Sequence, residues 1–340
     1  MYFSNLLTTL DSISFLIKIT QKVTKPLSYT TFEYEGCSAN FYCQNKKKYS
    51  KGLMIIFIGV NQQGNTDPRY INLINRLMSI GYNCLILQLQ PFVNIIAPVQ
   101  KDFDLVTAFL NYVLNNKVDA VKTISFIGPS TSCLYMIKVG TSELLKNKVR
   151  SMCFISPFFD PLTNFREILE NPRSFYAQLV LLKLILHSQH EQDPQSVSTQ
   201  ELLIINKCIS ICFEKGDEHS LASVLHYINS ESRYNKKLIP LIKKLGKSEF
   251  ISNELYPHFM DVVRKITYTD CLPQVQSKIT LIHAYTDTVF SPMCSTQLAN
   301  MLTQYNINNH VAITKIFDHA DLIPKNLPKE FFIILKALNH

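Results

Sequence analysis

The sequence predicts an α/β fold, a doubly wound and mostly parallel sheet whose order along the chain is broken by a block of helices. Three observations carry this. Short continuous apolar runs alternate with stretches of helical period from Leu53 to Ile155. From Pro161 to about Lys265 the alternation gives way to helical period alone. It resumes at Lys278 and continues through Leu338. Strand–helix–strand order implies right-handed crossovers and a parallel sheet.

Taken in order, residues 1–26 open the chain with an apolar segment: Phe3, Leu6, Leu7, Leu10, Ile13, Leu16 and Ile17. Their spacing of three and four predicts an amphipathic helix. The segment has no basic start and no small-residue cleavage site, and Asp11 interrupts it, so it does not read as a cleavable signal. Packing on the parent domain is the first expectation, and peripheral membrane contact through residues 1–21 is the second. Leu27–Tyr34 and Ser38–Gln44 are β-rich and split by Glu35-Gly36-Cys37, which predicts an antiparallel hairpin.

Leu53–Ile58 is a strand buried on both faces, ending at Gly59. Pro68–Ile80 is helical and stops at Gly81, and Asn83–Leu89 is a second buried strand. Asp102–Asn115 places Phe103, Val106, Phe109, Leu110, Val113 and Leu114 on one helix face. Lys122–Ile127 is a third strand, Leu134–Val139 a helix and Val149–Ile155 a fourth strand. After the insertion come a strand at Lys278–His283, a helix over Cys294–Tyr305, a strand at His310–Phe317 and a closing helix at Phe331–Leu338. The expected organisation is a core of residues 27–160 and 266–340 with a helical cap, or lid, of residues 161–265.

Composition narrows the class. Of the 340 residues, 46% are hydrophobic and 18% charged, a balance that buries a core. The net charge of +8 comes from short groups such as Lys46–Lys48 and Lys243, Lys244 and Lys247, with no dense basic arm. These read as solvated faces, and no nucleic-acid partner is expected. The nine cysteines are scattered through apolar stretches with no disulfide or zinc spacing. Free buried thiols predict a reducing, cytoplasmic compartment, with signal-less export left open. No run of about 18 uncharged apolar residues occurs, so no transmembrane helix is expected.

Three short constellations carry chemistry. Gly128-Pro129-Ser130-Thr131-Ser132 lies between a buried strand and a helix, where a sharp turn lifts one side chain above the sheet edge. Ser130 is the candidate nucleophile, and a helix-capping hydroxyl is the plainer role. Asp287 follows a strand, in His283-Ala284-Tyr285-Thr286-Asp287. An acid there can hold an imidazole in the useful tautomer, although loop aspartates usually cap turns. His319 follows the last strand and can take a proton from a serine hydroxyl and return it. Each signal is weak alone. Together they occur in the order Ser, Asp, His, each after a separate strand, where open α/β sheets bind ligands. Asp160 is a second acid after a strand, in a setting that reads as a turn. His187 and His190 lack the zincin order, and no phosphate-cradling glycine loop occurs, so no metal and no cofactor is expected.

These residues resemble the α/β-hydrolase family over about residues 27–160 and 266–340. Ile56-Phe57-Ile58-Gly59-Val60 is similar to the family's His-Gly-x segment, with Ile58 in the histidine position. Gly81-Tyr82 looks like its helix-to-strand junction, and Asp270-Cys271-Leu272-Pro273 with Asp287 and Pro292 looks like the approach to its acid. Ser132 stands where the elbow usually carries glycine, and Pro129 precedes the nucleophile. The resemblance implies an α/β-hydrolase fold, catalytic Ser130, Asp287 and His319, and an oxyanion hole of the Val60 and Thr131 N–H groups. It implies a serine hydrolase acting on a small-molecule carboxylic ester or thioester, in the esterase, lipase or thioesterase manner, with acyl transfer not distinguished. A non-catalytic binding or scaffold protein of the same fold is the alternative. Oligomeric state is not legible.

Overall fold

The computed structural model describes residues 28–43, 51–118, 123–170, 173–230, 235–247, 250–251, 253–318 and 321–340. The expected N-terminal helix over residues 1–26 lies outside them. The chain forms two compact units. The first takes the described residues up to Val93, then Val99–Phe159 and Tyr268–His340. The second takes Asn94–Pro98 and Asp160–Thr267.

The first unit is built on an eight-stranded sheet. Its strands are β1 (Thr30–Tyr34), β2 (Cys37–Tyr42), β3 (Leu53–Ile56), β4 (Asn83–Gln88), β5 (Ile124–Pro129), β6 (Val149–Ile155), β7 (Lys278–Ala284) and β8 (Asn309–Thr314). Their spatial order is β1-β2-β4-β3-β5-β6-β7-β8. β1, β2 and β4 pair antiparallel, and every pair from β4–β3 to β7–β8 is parallel. The central strands read as apolar runs because both their faces are covered: Leu53 to Ile56 are all at most 2% exposed.

The helices of this unit follow the sheet. α1 (Pro68–Ser79) starts with proline at its first position, capped by the buried Asp67 carboxylate, which accepts from the Arg69 N–H at 2.8 Å. It buries Tyr70, Ile74, Leu77 and Met78 and packs on β4. After the short α2 (Gln90–Val93), α3 (Gln100–Asn116) packs against α4 (Ser132–Gly140), which lies on β5 and β6. α4 is almost wholly buried, which is why its sequence is apolar all round.

Among the described residues the regular elements of the second unit are helices: α5 (Pro161–Glu170), α6 (Phe175–Gln192), α7 (Thr199–Lys215), α8 (Asp217–Ser230), α9 (Asn235–Lys244) and α10 (Tyr256–Ile266). Every residue from Leu179 to Leu186 is buried, so α6 is the axis of the unit, contacting α5, α7, α8 and α10. Ser198 and Glu201 form a reciprocal cap at the start of α7. Lys183 is a buried cation within this apolar helix, 3% exposed, and its ammonium donates to the Asn94 carbonyl. Burial lowers its pKa to about 8.

The chain then returns to the sheet unit with β7, α11 (Met293–Gln304), β8 and α12 (Leu327–Asn339), both helices packing on β7 and β8. The strand expected over His310–Phe317 is shorter. It ends at Thr314, whose hydroxyl accepts from the Ile316 N–H at 3.2 Å and turns the backbone out of the ladder. Phe317–Asp318 (β9) instead pairs antiparallel with Asp321–Leu322 (β10).

None of the nine cysteines is in a disulfide. Burial pushes the buried Cys133, Cys153 and Cys208 up to about 12, as for packing residues, and burial with the nearby Asp102 and Glu35 carboxylates raises the half-buried Cys37 to about 11. Among the described residues no helix is long and apolar enough to cross a membrane.

Candidate active site

β3, β5, β6, β7 and β8 run parallel, so their carboxyl ends share one rim. Hydrogen bonds tie that rim together. The Ser130 N–H donates to the Ile155 carbonyl at 2.8 Å, the Ser156 N–H to Ile282 at 2.7 Å, and the Tyr285 N–H to Thr314 at 2.7 Å. The Ser156 hydroxyl accepts from the Ala284 N–H at 3.3 Å.

Ser130 stands at the turn between β5 and α4 with φ +55°. A left-handed conformation costs a side-chain-bearing residue roughly 1–2 kcal/mol. The turn is held by close packing beneath it. A Cβ on Gly128 would lie 2.2 Å from Ser132 Oγ and 2.7 Å from the Phe57 carbonyl oxygen. A Cβ on Gly59 would lie 3.2 Å from the Pro129 carbonyl oxygen and 3.6 Å from Ser130 Cβ. Gly59 thus brings the loop after β3 against the serine turn, and Gly128 lets the first turn of α4 close onto β5.

That loop carries Val60, whose N–H donates to Thr131 Oγ1 at 3.2 Å. Because this hydroxyl accepts from Val60, its own proton is left to donate. The loop is fixed from below. The Gly59 N–H donates to the Tyr70 hydroxyl at 2.8 Å, Asn61 Oδ1 accepts from the Gly64 N–H at 2.8 Å, and Gln88 Oε1 accepts from the Asn65 N–H at 2.9 Å. Tyr70, Asn61 and Gln88 were invisible as site residues from sequence, since each lies on a different element and its partner is a backbone group.

Asp287 lies after β7, two strands along the rim from β5, and is 7% exposed. Its Oδ1 accepts from the Val289 and Phe290 N–H groups, both at 2.8 Å. Its Oδ2 is 3.5 Å from Nε2 of His283, a fully buried side chain. In the neutral ring, His283 Nε2 donates to the Phe290 carbonyl at 3.1 Å and Nδ1 accepts from the Ser295 hydroxyl at 2.7 Å. The sequence signal for His283 was a polar residue closing an apolar strand.

Ser130, Thr131 and Val60 are therefore brought together, and Asp287 stands on the same rim. His319 lies outside the described residues. Asp160 caps α5: its carboxylate accepts from the Leu162 N–H at 3.0 Å and the Thr163 hydroxyl at 2.5 Å. His190 Nδ1 donates to the Val197 carbonyl at 2.6 Å.

No protein-family model matches this sequence, and no curated protein does. Solved structures do. An esterase of Pyrococcus furiosus matches at 13% identity with a TM-score of 0.51, over 94% of this chain and 97% of its own. Dipeptidyl peptidase 4 of Porphyromonas gingivalis matches at 9% identity and TM-score 0.50, over 93% of this chain and 35% of its own. An acylaminoacyl peptidase of Pyrococcus horikoshii matches at 13% identity and TM-score 0.49; this chain covers 41% of its length. The sheet order and the likenesses to the esterase and to dipeptidyl peptidase 4 define an α/β-hydrolase fold. In chain order, residues Asp160–Thr267 of the helical unit fall between β6 and β7.

Proposed function

We propose that the chain is a serine hydrolase that cleaves a carboxylic ester or thioester through Ser130, His319 and Asp287. The observation that carries the reading is the left-handed Ser130, φ +55°, on a turn packed from below by Gly128 and Gly59. Such strain persists only where surrounding structure enforces it, and it concentrates at catalytic positions. A plain helix cap needs no positive φ.

In this mechanism Ser130 Oγ attacks the acyl carbon while His319 takes its proton. The Asp287 carboxylate orients the imidazole. The tetrahedral oxyanion accepts from the Thr131 N–H, from the Val60 N–H as Thr131 Oγ1 releases it, and from the Thr131 hydroxyl. His319 then protonates the leaving alcohol or thiol. Water, activated by the same histidine, releases the acid from the acyl-enzyme and restores Ser130.

One observation favours a non-catalytic protein of the same fold: the Val60 N–H is already engaged by Thr131 Oγ1. A fluorophosphonate probe separates the two readings. Labelling of the wild-type chain that disappears in Ser130→Ala supports the hydrolase. No labelling of folded protein, alongside a reactive control enzyme, supports the binding protein.

A further inference from the structure

The outward face of α12 has a pattern the active-site reading does not use. Its sequence is Leu327-Pro-Lys-Glu-Phe-Phe-Ile-Ile-Leu-Lys-Ala-Leu-Asn339. Ile334 and Ala337 are buried, at 2% and 0% exposure, and the helix packs on β7 and β8. The opposite face carries Lys329, Phe332, Ile333 and Lys336, at the i, i+3, i+4, i+7 spacing that puts them in one stripe. All four are exposed, Phe332 at 80% and Ile333 at 42%. Lys325 is exposed just before the helix. The helix holds one acid, Glu330, which is only partly exposed and accepts from the Lys315 N–H at 3.3 Å.

Two large apolar side chains thus stand in water between lysines, with no carboxylate on the stripe. A solvated helix face normally mixes both signs of charge and keeps phenylalanine inside. A polyanion such as nucleic acid would reward the lysines and leave Phe332 and Ile333 unused. A bilayer surface rewards both: the Phe332 ring and the Ile333 side chain enter the acyl boundary and the ammonium groups reach headgroup phosphates. We propose that the Lys329–Lys336 face of α12 docks the protein on anionic phospholipid membranes. The inference stands independently of the hydrolase reading.

The test is sedimentation of the full chain with phosphatidylcholine vesicles, with and without phosphatidylserine. The wild type is expected to bind the phosphatidylserine vesicles, more weakly as salt is raised. Two variants, Lys329→Glu with Lys336→Glu, and Phe332→Ser with Ile333→Ser, are each expected to lower partitioning on the order of tenfold or more. Their thermal midpoints are expected to match the wild type, since the four side chains project outward. Whatever residues 1–21 contribute is common to all three proteins. Wild type that stays in the supernatant overturns the proposal, and so does undiminished binding by both variants. A wild-type dimer that Phe332→Ser with Ile333→Ser converts to monomer, with no vesicle binding, overturns it in favour of a contact between copies.

Discussion

Replacing Gly128 by alanine tests how the serine turn is supported. The new Cβ would sit 2.2 Å from Ser132 Oγ, 2.9 Å from Ser132 Cβ and 2.7 Å from the Phe57 carbonyl oxygen. The first two contacts belong to one side chain at the start of α4, and the third belongs to the backbone after β3. Overpacking of this kind costs about 1–3 kcal/mol. For 340 residues an unfolding entropy near 2.1 cal/mol/K per residue makes 2 kcal/mol equal to roughly 3 °C in Tm. Ser132→Gly alone loses buried packing and helix propensity, about 0.5–1 kcal/mol. In the double variant the Ser132 contacts vanish and the Phe57 contact stays. Gly128→Ala is therefore expected to be partly rescued by Ser132→Gly, with a coupling on the order of 1 kcal/mol. The assay is urea unfolding of the four proteins, with the rate of fluorophosphonate labelling reporting where Ser130 points. Strict additivity, or a Gly128→Ala protein as stable as wild type, refutes the argument that these contacts hold the turn.

Thr131→Ser is expected to keep the labelling rate, and Thr131→Val to lower it about 10–100-fold if the hydroxyl acts on the oxyanion as proposed. Labelling at the wild-type rate or faster in Thr131→Val would show the hydroxyl to be a plug. Asp287→Asn keeps an Oδ1 acceptor for the Val289 and Phe290 N–H groups. It is expected to hold Tm within about 1 °C while cutting labelling by roughly 10²–10⁴; a purely structural aspartate would leave labelling intact. Lys183, lowered to about 8 by burial, opposes folding wherever it stays protonated. That cost is fully present below pH 8 and disappears as pH rises toward the ordinary lysine range, because the unfolded chain then binds more protons than the folded one. Lys183→Met is accordingly expected to be more favourable at pH 7 than at pH 10, by up to about 3 kcal/mol. Urea midpoints at the two pH values measure it, and an equal effect at both refutes it.

The buried strands and amphipathic helices were legible because each carries its own period. Leu53–Ile58 is a continuous apolar run and Asn83–Leu89 and Val149–Ile155 are mainly apolar, and the structure places all three as parallel strands of one sheet, β3 ending at Ile56. What escaped was structure made by side chains acting on distant or local backbone. The Thr314 hydroxyl ended β8 early. Asn94–Pro98 joined the helical unit, with Ile95 at φ +54° and Asn94 accepting from Lys183, a pairing of residues far apart in the chain. In the candidate site, Ser130 and Asp287 could be named from their places after strands. The loop clamps Tyr70, Asn61 and Gln88 and the buried His283 beside Asp287 could not, since nothing in their local sequence reveals which backbone group or side chain each will meet.

Strand β6 has a timing problem built into its neighbours. One of its edges pairs with β5, a short distance upstream, but its other partner, β7, arrives roughly 120 residues later, at a closure entropy that grows with the logarithm of that separation. At synthesis rates of 5–20 residues per second the interval is about 6–24 s. During it a strand containing Met152, Cys153 and Phe154 offers an open, apolar edge to any other chain. The intervening helices can organise in the meantime, yet they cannot cover that edge by β pairing. The nascent polypeptide thus carries an open β6 edge while residues 156–277 are made, and a chaperone that holds it until Lys278 emerges would act on the interval in which that edge is unpaired.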